Sequence, residues 1–386
     1  MVSRPLHLAV LYNNLRFSGG RKVLHDYAVH LRRQGHQVAE LALSDTKSTN
    51  SINAEDVRAV SKFDRNSLPE CDFLIASEHD EVRAAVASGR GQVVHFCQGF
   101  EIDNYEFRLE HNLLPERYQT RNLFRGMQLW LQRRKWKRRI REFDAIYRLP
   151  TRLVTVSKEL AANLQSRYRR KVQLAENGVC PDVFYPPENW PDWNFDAERP
   201  CRVLCVGNSQ LLAKGIRETS EAVRWLKSRN LPVHFVRVCP RGLSDAEHKG
   251  GVVDEFHSSL SATEMGDLYR SCHAYVSNSH PSEGFGLPAM EALRSGMVTT
   301  LTDIPCYRSY ADHRQFTHFV PVRDSLATAK TLLRLMASKQ PVIDALRLNA
   351  LETTQRFTLE NARRNFEAAL LRMADDNRKP NAKRAA

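Results

Sequence analysis

Two glutamates, Glu283 and Glu291, flank a glycine-containing stretch that directly follows the strand-like run Ala274–Val276. Ionised carboxylates only accept hydrogen bonds, and sugars are rich in O–H donors. A strand–loop–helix start also presents free N–H groups and a positive dipole end, which attract phosphate. The combination suits a ligand with a diphosphate in the middle and polyols on either side. The residues therefore indicate a nucleotide-sugar site.

The same segment predicts a short helix that starts at Pro288. Proline fits the first helical position because its missing N–H costs nothing there. Gly296 is a natural C-terminal stop after Arg294 or Ser295. The alternative interpretation is a glycine turn followed by a proline-initiated helix, whose two glutamates merely favour the helix dipole.

The segment Glu283–Glu291 resembles the Glu-x7-Glu signature of the retaining glycosyltransferases of family four, the group 1 glycosyl transferases of bacterial cell-surface polysaccharide synthesis. The resemblance implies an α/β protein of the GT-B fold, with two Rossmann-like domains facing a central cleft and a C-terminal helix that crosses back to the N-terminal domain. It implies that Glu283 holds donor-sugar hydroxyls and Glu291 the ribose hydroxyls. The donor contacts that it implies in this segment are Glu283, Gly284, Phe285, Gly286, Leu287 and Glu291.

The stretch Val206–Gly215 resembles the phosphate-binding strand–loop of that family. Lys214 matches the family's lysine, whose ammonium would offset the charge that builds on the departing diphosphate. Asn208, like Lys214 an expected donor contact, stands where the family carries an arginine, so one cation is missing. Either Lys214 suffices, or a nearby cation such as Arg217 or Arg241 substitutes for the arginine, or the activity is low. Without the resemblance, Lys214 would be interpreted as a solvated loop lysine.

In the N-terminal half, the resemblance places donor contacts at Gly19 and Gly20 and acceptor contacts at His95, Gln98 and Glu101. From the residues alone, the two glycines also fit an ordinary turn, and His95 also fits a strand histidine satisfied by its neighbours. The predicted catalytic residues are Glu283, Lys214 and His95.

The composition is that of a globular protein with two domains: 386 residues, 42% of them hydrophobic and 26% charged. No apolar run approaches the roughly 20 residues of a membrane span, and the N-terminus reads as a first strand rather than a secretion signal. The eight cysteines are scattered, which favours free thiols in a reducing cytoplasm. We expect no cofactor and no metal, because no Asp-x-Asp motif is placed to bind one.

The net charge of +13 calls for an anionic partner. The run Trp130–Arg141 predicts a basic amphipathic helix, with Leu129, Trp136, Ile140 and Phe143 near one face. Such a helix could lie on an anionic membrane, hold a lipid-linked diphosphate acceptor, or be a surface helix with one buried stripe. No nucleic-acid-binding module surrounds it, so nucleic acid is not an expected partner. The expected location is cytoplasmic, at the inner membrane face.

Strand-like and helix-like pieces alternate in both halves, which predicts parallel sheets covered by helices. Strands are predicted at residues 6–11, 37–43, 73–77, 92–96, 152–156, 202–207, 233–238, 252–253 and 274–277. The predicted parts of the chain are an N-terminal acceptor domain (1–186) with a C-terminal helix at about 358–374, a linker (187–200), a nucleotide-sugar domain (201–357) and a disordered tail (375–386).

The sequence thus predicts an enzyme of hexosyltransferase type. It would move a sugar from a nucleotide-sugar to the hydroxyl of a glycan or lipid-linked acceptor with retention, in lipopolysaccharide or other surface glycan synthesis. Two alternatives stay open: a GT-B epimerase or phosphorylase, and a non-catalytic binding or scaffold protein. The second is suggested by the missing arginine at Asn208.

Overall fold

The computed structural model describes residues 4–16, 18–43, 57–113 and 125–378. Contacts within the chain divide it into two compact units. Unit 1 comprises Met1–Glu176 and Ala362–Ala386, and unit 2 comprises Asn177–Asn361. None of the described helices is both long enough and apolar enough to cross a bilayer.

Unit 1 is built on a parallel sheet in the order β3-β2-β1-β4-β5-β6-β7. The order reverses between β1 and β4, because both β2 and β4 pair with β1. The strands are β1 (His7–Tyr12), β2 (Gln37–Leu43), β3 (Val57–Val60), β4 (Phe73–Ala76), β5 (Gln92–Cys97), β6 (Arg152–Thr155) and β7 (Val172–Leu174). The helices between them are α1 (Gly19–Arg33), α2 (His79–Ser88), α3 (Glu101–Glu110), α4 (Arg125–Tyr147) and α5 (Lys158–Tyr168).

Unit 2 repeats the plan with the order β10-β9-β8-β11-β12-β13, and its reversal lies between β8 and β11. The strands are β8 (Cys201–Val206), β9 (Val233–Val238), β10 (Glu255–His257), β11 (Ala274–Ser277), β12 (Val298–Thr302) and β13 (His318–Val320). The helices are α6 (Ile216–Lys227), α7 (Asp245–Gly250), α8 (Ala262–Ser271), α9 (Leu287–Arg294), α10 (Pro305–Arg308), α11 (Ser325–Met336) and α12 (Gln340–Thr354). The central strands are apolar and buried on both faces, as parallel strands between helix layers must be.

The last helix, α13 (Leu359–Arg378), belongs to unit 1 from Ala362 onward. Thr358 caps its N-terminus, since the Thr358 hydroxyl accepts a hydrogen bond from the backbone N–H of Asn361 (3.1 Å). Phe366 is buried and stacks on Tyr27 of α1 with ring centroids 4.7 Å apart. The helix runs four residues beyond its predicted end at about 374, and residues 379–386 of the predicted tail lie outside the described residues.

The division between the units differs from the predicted boundary at residue 186. It falls after Glu176 because Val179 is already tied into unit 2, where its N–H donates to the carbonyl of Phe357 (2.9 Å). The predicted linker, 187–200, also packs on unit 2: Trp193 is buried, and its indole N–H donates to the carbonyl of Leu335 (2.8 Å).

The predicted strands agree with the structure at all but one site. The strand expected at Val252-Val253 is wrong, because the residues that pair with β9 are Glu255–His257. Val252 is instead buried in the core of unit 2. The strands β3, β7, β12 and β13 were not predicted.

Candidate functional site

Two loops of unit 2 meet at the carboxyl edge of its sheet, where the strand order reverses. The lysine loop, residues 207–215, follows β8, and the glutamate loop, residues 278–286, follows β11. The two strands are neighbours in the sheet. In open α/β sheets, such a reversal leaves a crevice between the loops in which ligands bind.

An ion pair joins the two loops. The Lys214 ammonium lies 2.7 Å from the Glu283 carboxylate, to which the Ser279 hydroxyl also donates (3.1 Å). The Glu283 side chain is only 13% exposed. Its burial alone would raise its pKa, but the charge and hydrogen bond of Lys214, with the bond from Ser279, hold that pKa below the usual range. Glu283 is therefore an ionised acceptor of hydrogen bonds at neutral pH.

Close backbone packing sets this pairing. Gly215 has φ +60°, and a Cβ on it would lie 1.9 Å from the carbonyl oxygen of Asn278, so no larger residue fits. The N–H of His280 donates to the carbonyl of Ala213 (2.8 Å). The lysine loop is thus docked onto the glutamate loop by main-chain contacts, which places Lys214 opposite Glu283.

The predicted helix is confirmed as α9, which starts one residue earlier than expected, at Leu287. Gly286 caps it with φ +74°, and a Cβ there would lie 2.5 Å from the Tyr307 ring. Phe285 is buried, and its carbonyl accepts a hydrogen bond from the Tyr310 hydroxyl. Tyr307 and Tyr310 therefore pack against the loop before the helix. Gly284, like Phe285, is buried.

Glu291 lies further along α9 and is positioned by a residue that the sequence did not indicate. The hydroxyl of the buried Tyr269, on α8, donates to the Glu291 carboxylate (2.9 Å) and lies 3.1 Å from the carbonyl of Pro288. Burial and the negative charge of Glu291 raise the pKa of Tyr269 well above its ordinary value, so its hydroxyl stays a donor. No motif surrounds Tyr269 in the sequence, where it reads as an ordinary core aromatic.

Asn208, at the position where a cation was expected, makes a local turn. Its side-chain oxygen accepts a hydrogen bond from the N–H of Gln210 (3.0 Å). Neither Arg217 nor Arg241 takes the place of the missing arginine at this loop. Arg217 pairs with Glu218 (3.1 Å) and lies 3.7 Å from Glu221, and Arg241 is exposed beyond the end of β9.

In unit 1, the structure brings together Gly19, Gly20 and Gln98. The glycines open α1 behind the N-cap Ser18, and the Gln98 amide donates to the carbonyl of Gly20 (3.2 Å) and to the Ser77 hydroxyl (2.9 Å). Gly20 and Gln98 line a cavity of about 140 Å³ at the carboxyl ends of β1, β4 and β5. Their roles as donor and acceptor contacts stay predictions.

His95 lies in the core of unit 1, where its side chain is 1% exposed. Its ring stacks on Tyr147 with centroids 4.9 Å apart. Burial lowers the pKa of His95 from 6.5 to about 3, so its imidazole is neutral at physiological pH. The predicted catalytic and acceptor-binding role of His95 stays a prediction. Glu101 is more exposed and accepts a hydrogen bond from the Tyr147 hydroxyl (2.9 Å).

The burial of His95 predicts a pH dependence of stability. Below about pH 6.5 the unfolded chain protonates this histidine, whereas the folded chain does so only near pH 3. The contribution is therefore present above pH 6.5 and is lost as the pH falls. We expect urea unfolding to show a smaller loss of stability between about pH 7 and about pH 5 in His95→Phe than in the wild type, by up to about 1.4 kcal/mol per pH unit.

The control for this experiment is His7→Gln, which removes an exposed imidazole from the same unit. It should leave the pH dependence of the wild type nearly unchanged. Equal pH slopes in His95→Phe and the wild type would show that the buried histidine does not carry the effect.

Residues 200–338 match the family model described as glycosyl transferases group 1. A comparison with curated proteins finds no match. A solved glycosyltransferase from Rickettsia africae ESF-5 is 13% identical, with 97% of this chain and 100% of that chain covered and a TM-score of 0.66. WaaG, a glycosyltransferase involved in lipopolysaccharide biosynthesis, is 17% identical (94% and 98% covered, TM-score 0.64). Anabaena Alr3699/HepE, solved with UDP-glucose, is 13% identical (95% and 99% covered, TM-score 0.70).

The fold is GT-B. The predicted fold class is confirmed by these similarities, which extend over nearly the whole chain. The segment that matches the group 1 glycosyl transferases contains both the lysine loop and the glutamate loop, as well as α9.

Proposed function

We propose that this protein is a glycosyltransferase of hexosyl type that moves a sugar from a nucleotide-sugar to an acceptor hydroxyl with retention of anomeric configuration. The observation that carries the proposal is the ion pair between Lys214 and Glu283 in the two loops before α9, with Glu291 on that helix. The match of residues 200–338 to group 1 glycosyl transferases and the fold shared with HepE, which was solved with UDP-glucose, support it.

Each group has a distinct role in the proposed reaction. Glu283 accepts hydrogen bonds from donor-sugar hydroxyls, and Glu291, held by Tyr269, accepts them from the ribose. Lys214 exchanges its contact with Glu283 for one with the diphosphate and stabilises the charge that develops on it. The leaving diphosphate helps to take the proton of the acceptor as it attacks from the same face. Few protein groups are then needed as bases, in keeping with the burial of His95.

Binding and turnover test the proposal together. A thermal-shift screen with UDP, ADP, GDP and their sugars should raise the melting temperature for one nucleotide family, because a ligand of the folded state stabilises it by mass action. Transfer with that donor should proceed in the presence of EDTA, since we propose that no metal is needed. No shift with any nucleotide or nucleotide-sugar would contradict the proposal.

Donor incubated without acceptor separates the alternatives. An epimerase would convert the donor sugar under these conditions, and a non-catalytic protein would bind the nucleotide without transfer or hydrolysis of any donor. The proposed enzyme needs an acceptor for turnover, and NMR of the product would show the anomeric configuration of the donor retained.

We propose a lipid-linked or lipopolysaccharide-type glycan at an anionic membrane surface as the acceptor, with the protein peripheral at the cytoplasmic face of the inner membrane. WaaG, which shares the fold, is involved in lipopolysaccharide biosynthesis. The helix α4 supports the proposal. Its predicted apolar face is turned into unit 1, where Trp136 is 3% exposed and Phe143 lies 4.1 Å from His79 between ring centroids. That face is therefore not available to lipid.

The opposite face of α4 has the composition of a membrane contact. Met127 and Trp130 are more than half exposed, at 56% and 54%. Exposed cations follow at helical spacing: Arg134, Lys137, Arg138 and Arg141. An aromatic and apolar end followed by cations suits the boundary between acyl chains and anionic headgroups.

Vesicle co-sedimentation tests this surface. The triple variant Trp130→Ala, Lys137→Gln, Arg141→Gln should lose about tenfold or more in affinity for vesicles rich in phosphatidylglycerol, since each cation near such a surface contributes about 1 kcal/mol. Neither the wild type nor the variant should bind pure phosphatidylcholine.

A variant with two exposed cations removed elsewhere in unit 1, which matches the change in charge, serves as the control: Arg33→Gln, Lys158→Gln. It should bind the anionic vesicles nearly as well as the wild type. Equal losses in both variants would mean that net charge alone drives binding. Salt-dependent binding to DNA without binding to vesicles would instead point to nucleic acid.

A further inference from the structure

A buried arginine lies beneath the lysine loop. Arg237, on β9, is 0% exposed. Its guanidinium donates to the carbonyls of Cys205 (2.8 Å) and Gly207 (3.0 Å) and lies 3.3 Å from the Ser209 hydroxyl. These contacts join the end of β9 to the end of β8 and to the first residues of the loop that follows β8. Arg237 therefore holds the base of the lysine loop.

A carboxylate balances the buried charge. The Nε of Arg237 donates to the Glu247 carboxylate (2.8 Å), which also accepts hydrogen bonds from the hydroxyl and N–H of Ser244 at the start of α7. Burial would raise the pKa of Glu247, but the charge of Arg237 and the hydrogen bonds from Ser209 and Ser244 hold it below its usual range. Such a pair rarely stabilises a fold more than apolar side chains of the same size would. Its place beneath the lysine loop calls for another reason.

The contact with Gly207 orients one peptide group. The Gly207 carbonyl points inward to the guanidinium. In a planar trans peptide the next N–H points the opposite way, so the N–H of Asn208 faces away from Arg237. This N–H has no hydrogen-bond partner among the residues that the structure describes. A backbone N–H held in this way is a donor for an anion.

The carboxylate of Glu247 also reaches the lysine loop, because it accepts a hydrogen bond from the Ser209 hydroxyl. The same hydroxyl lies 3.3 Å from Nη2 of Arg237. Both members of the ion pair therefore contact the first residues of the lysine loop.

We propose that Arg237 is a positioning residue for the diphosphate of the donor: from beneath the lysine loop it fixes the Gly207–Asn208 peptide so that its N–H binds a phosphate oxygen. This inference rests on the proposed nucleotide-sugar site. It deepens that proposal by assigning part of the phosphate recognition to a fully buried side chain.

Paired titrations with nucleoside diphosphates and nucleosides test this role. UDP, ADP and GDP are compared with uridine, adenosine and guanosine by calorimetry, so that the contribution of the phosphates is the ratio of two affinities. Arg237→Met should lower the affinity for the diphosphate that the wild type binds by about tenfold or more. The affinity for the matching nucleoside should change by less than about threefold. Arg237→Lys, which keeps the charge but loses the planar fork, should recover part of the loss.

A double variant keeps the test independent of folding. Arg237→Met leaves Glu247 buried without its partner, whereas Arg237→Met with Glu247→Leu removes both charges and is expected to fold. If the double variant melts near the wild-type temperature and still loses diphosphate affinity selectively, Arg237 positions the phosphate site. Equal losses for diphosphate and nucleoside, or no loss at all, would overturn the inference.

The outcome for the wild type separates this inference from the function on which it rests. If no nucleoside diphosphate binds the wild type, the proposed function itself fails. If one binds the wild type and the double variant equally well, only the role of Arg237 is wrong.

Discussion

Replacing Lys214 by alanine should lower kcat about 100-fold or more, the effect typical of removing one positioned donor from a developing anion. Lys214 lies on the lysine loop, and its ammonium contacts the glutamate loop at a distance of 2.7 Å from the Glu283 carboxylate. With Asn208 in place of an arginine, no second loop cation shares its task. The rate of transfer at saturating donor measures the effect. KM should change much less than kcat, because the charge on the diphosphate grows during bond cleavage.

A second ion-paired lysine of unit 2 provides the matched control. Lys227 lies 2.5 Å from Asp254 and also donates to the carbonyl of Val252. Lys227→Ala breaks a comparable pair outside the two loops, so it should cost some stability and leave kcat within about twofold. Full activity of Lys214→Ala, or an equal loss in both variants, would remove Lys214 from the proposed mechanism.

Glu283→Gln should have an effect of similar size, about 100-fold or more on kcat/KM for the nucleotide-sugar. The Glu283 carboxylate is ionised and only 13% exposed, so it can accept sugar hydroxyls in a site that is largely shielded from water. Glutamine keeps the shape and removes the charge. The affinity for the nucleoside diphosphate, which lacks the sugar, should hold or rise, because Lys214 is released from its partner.

Weaker use of the nucleotide-sugar together with unchanged or higher affinity for the nucleoside diphosphate would distinguish a sugar-binding carboxylate from a structural one. A structural role would weaken both ligands together. Asp254→Asn, the partner of Lys227, is the matched control and should change neither affinity. In the double variant Lys214→Ala, Glu283→Gln the losses should not add, since the two side chains are in contact.

The loops and the helix α9 could be predicted from the sequence because glycine and proline restrict or permit particular backbone conformations whatever their surroundings. Pro288 and Gly296 bounded α9 to within one residue, and Gly215 and Gly286 occupy the positive-φ positions that the loops require. The pairing of Lys214 with Glu283 depends on residues 69 apart in sequence. The resemblance assigned both residues to the donor site, but their ion pair was not predicted.

The supporting residues could not be predicted, because their partners are distant and their own surroundings look ordinary. Arg237 lies in a strand that also contains His234, so a polar side chain does not stand out there. Its partners at Gly207 and Glu247 lie 30 and 10 residues away. Tyr269 reads as a core aromatic until Glu291, 22 residues later, is brought beside it.

The burial of one face of α4 and of His95 likewise depends on tertiary contacts that the sequence does not show. Periodicity identified the apolar stripe of the helix correctly, but packing on unit 1 decides that this stripe is buried and that Trp130 is exposed. The strand β5 was predicted, but the depth of His95 within it depends on Tyr147, 52 residues later in the chain.

The return of α13 to unit 1 has a consequence for the order in which the chain can fold as it is synthesised. Phe366 and Leu370 are buried in unit 1, and Phe366 packs on Tyr27, yet they leave the ribosome after every residue of unit 2. Domains that are continuous in sequence can fold one after another during synthesis. Here unit 1, whose synthesis begins first, keeps part of its core uncovered until α13 is made. Unit 2 begins later, but its whole sequence is available earlier. Emergence of α13 from the ribosome, not the end of β7, therefore sets the moment at which unit 1 is complete.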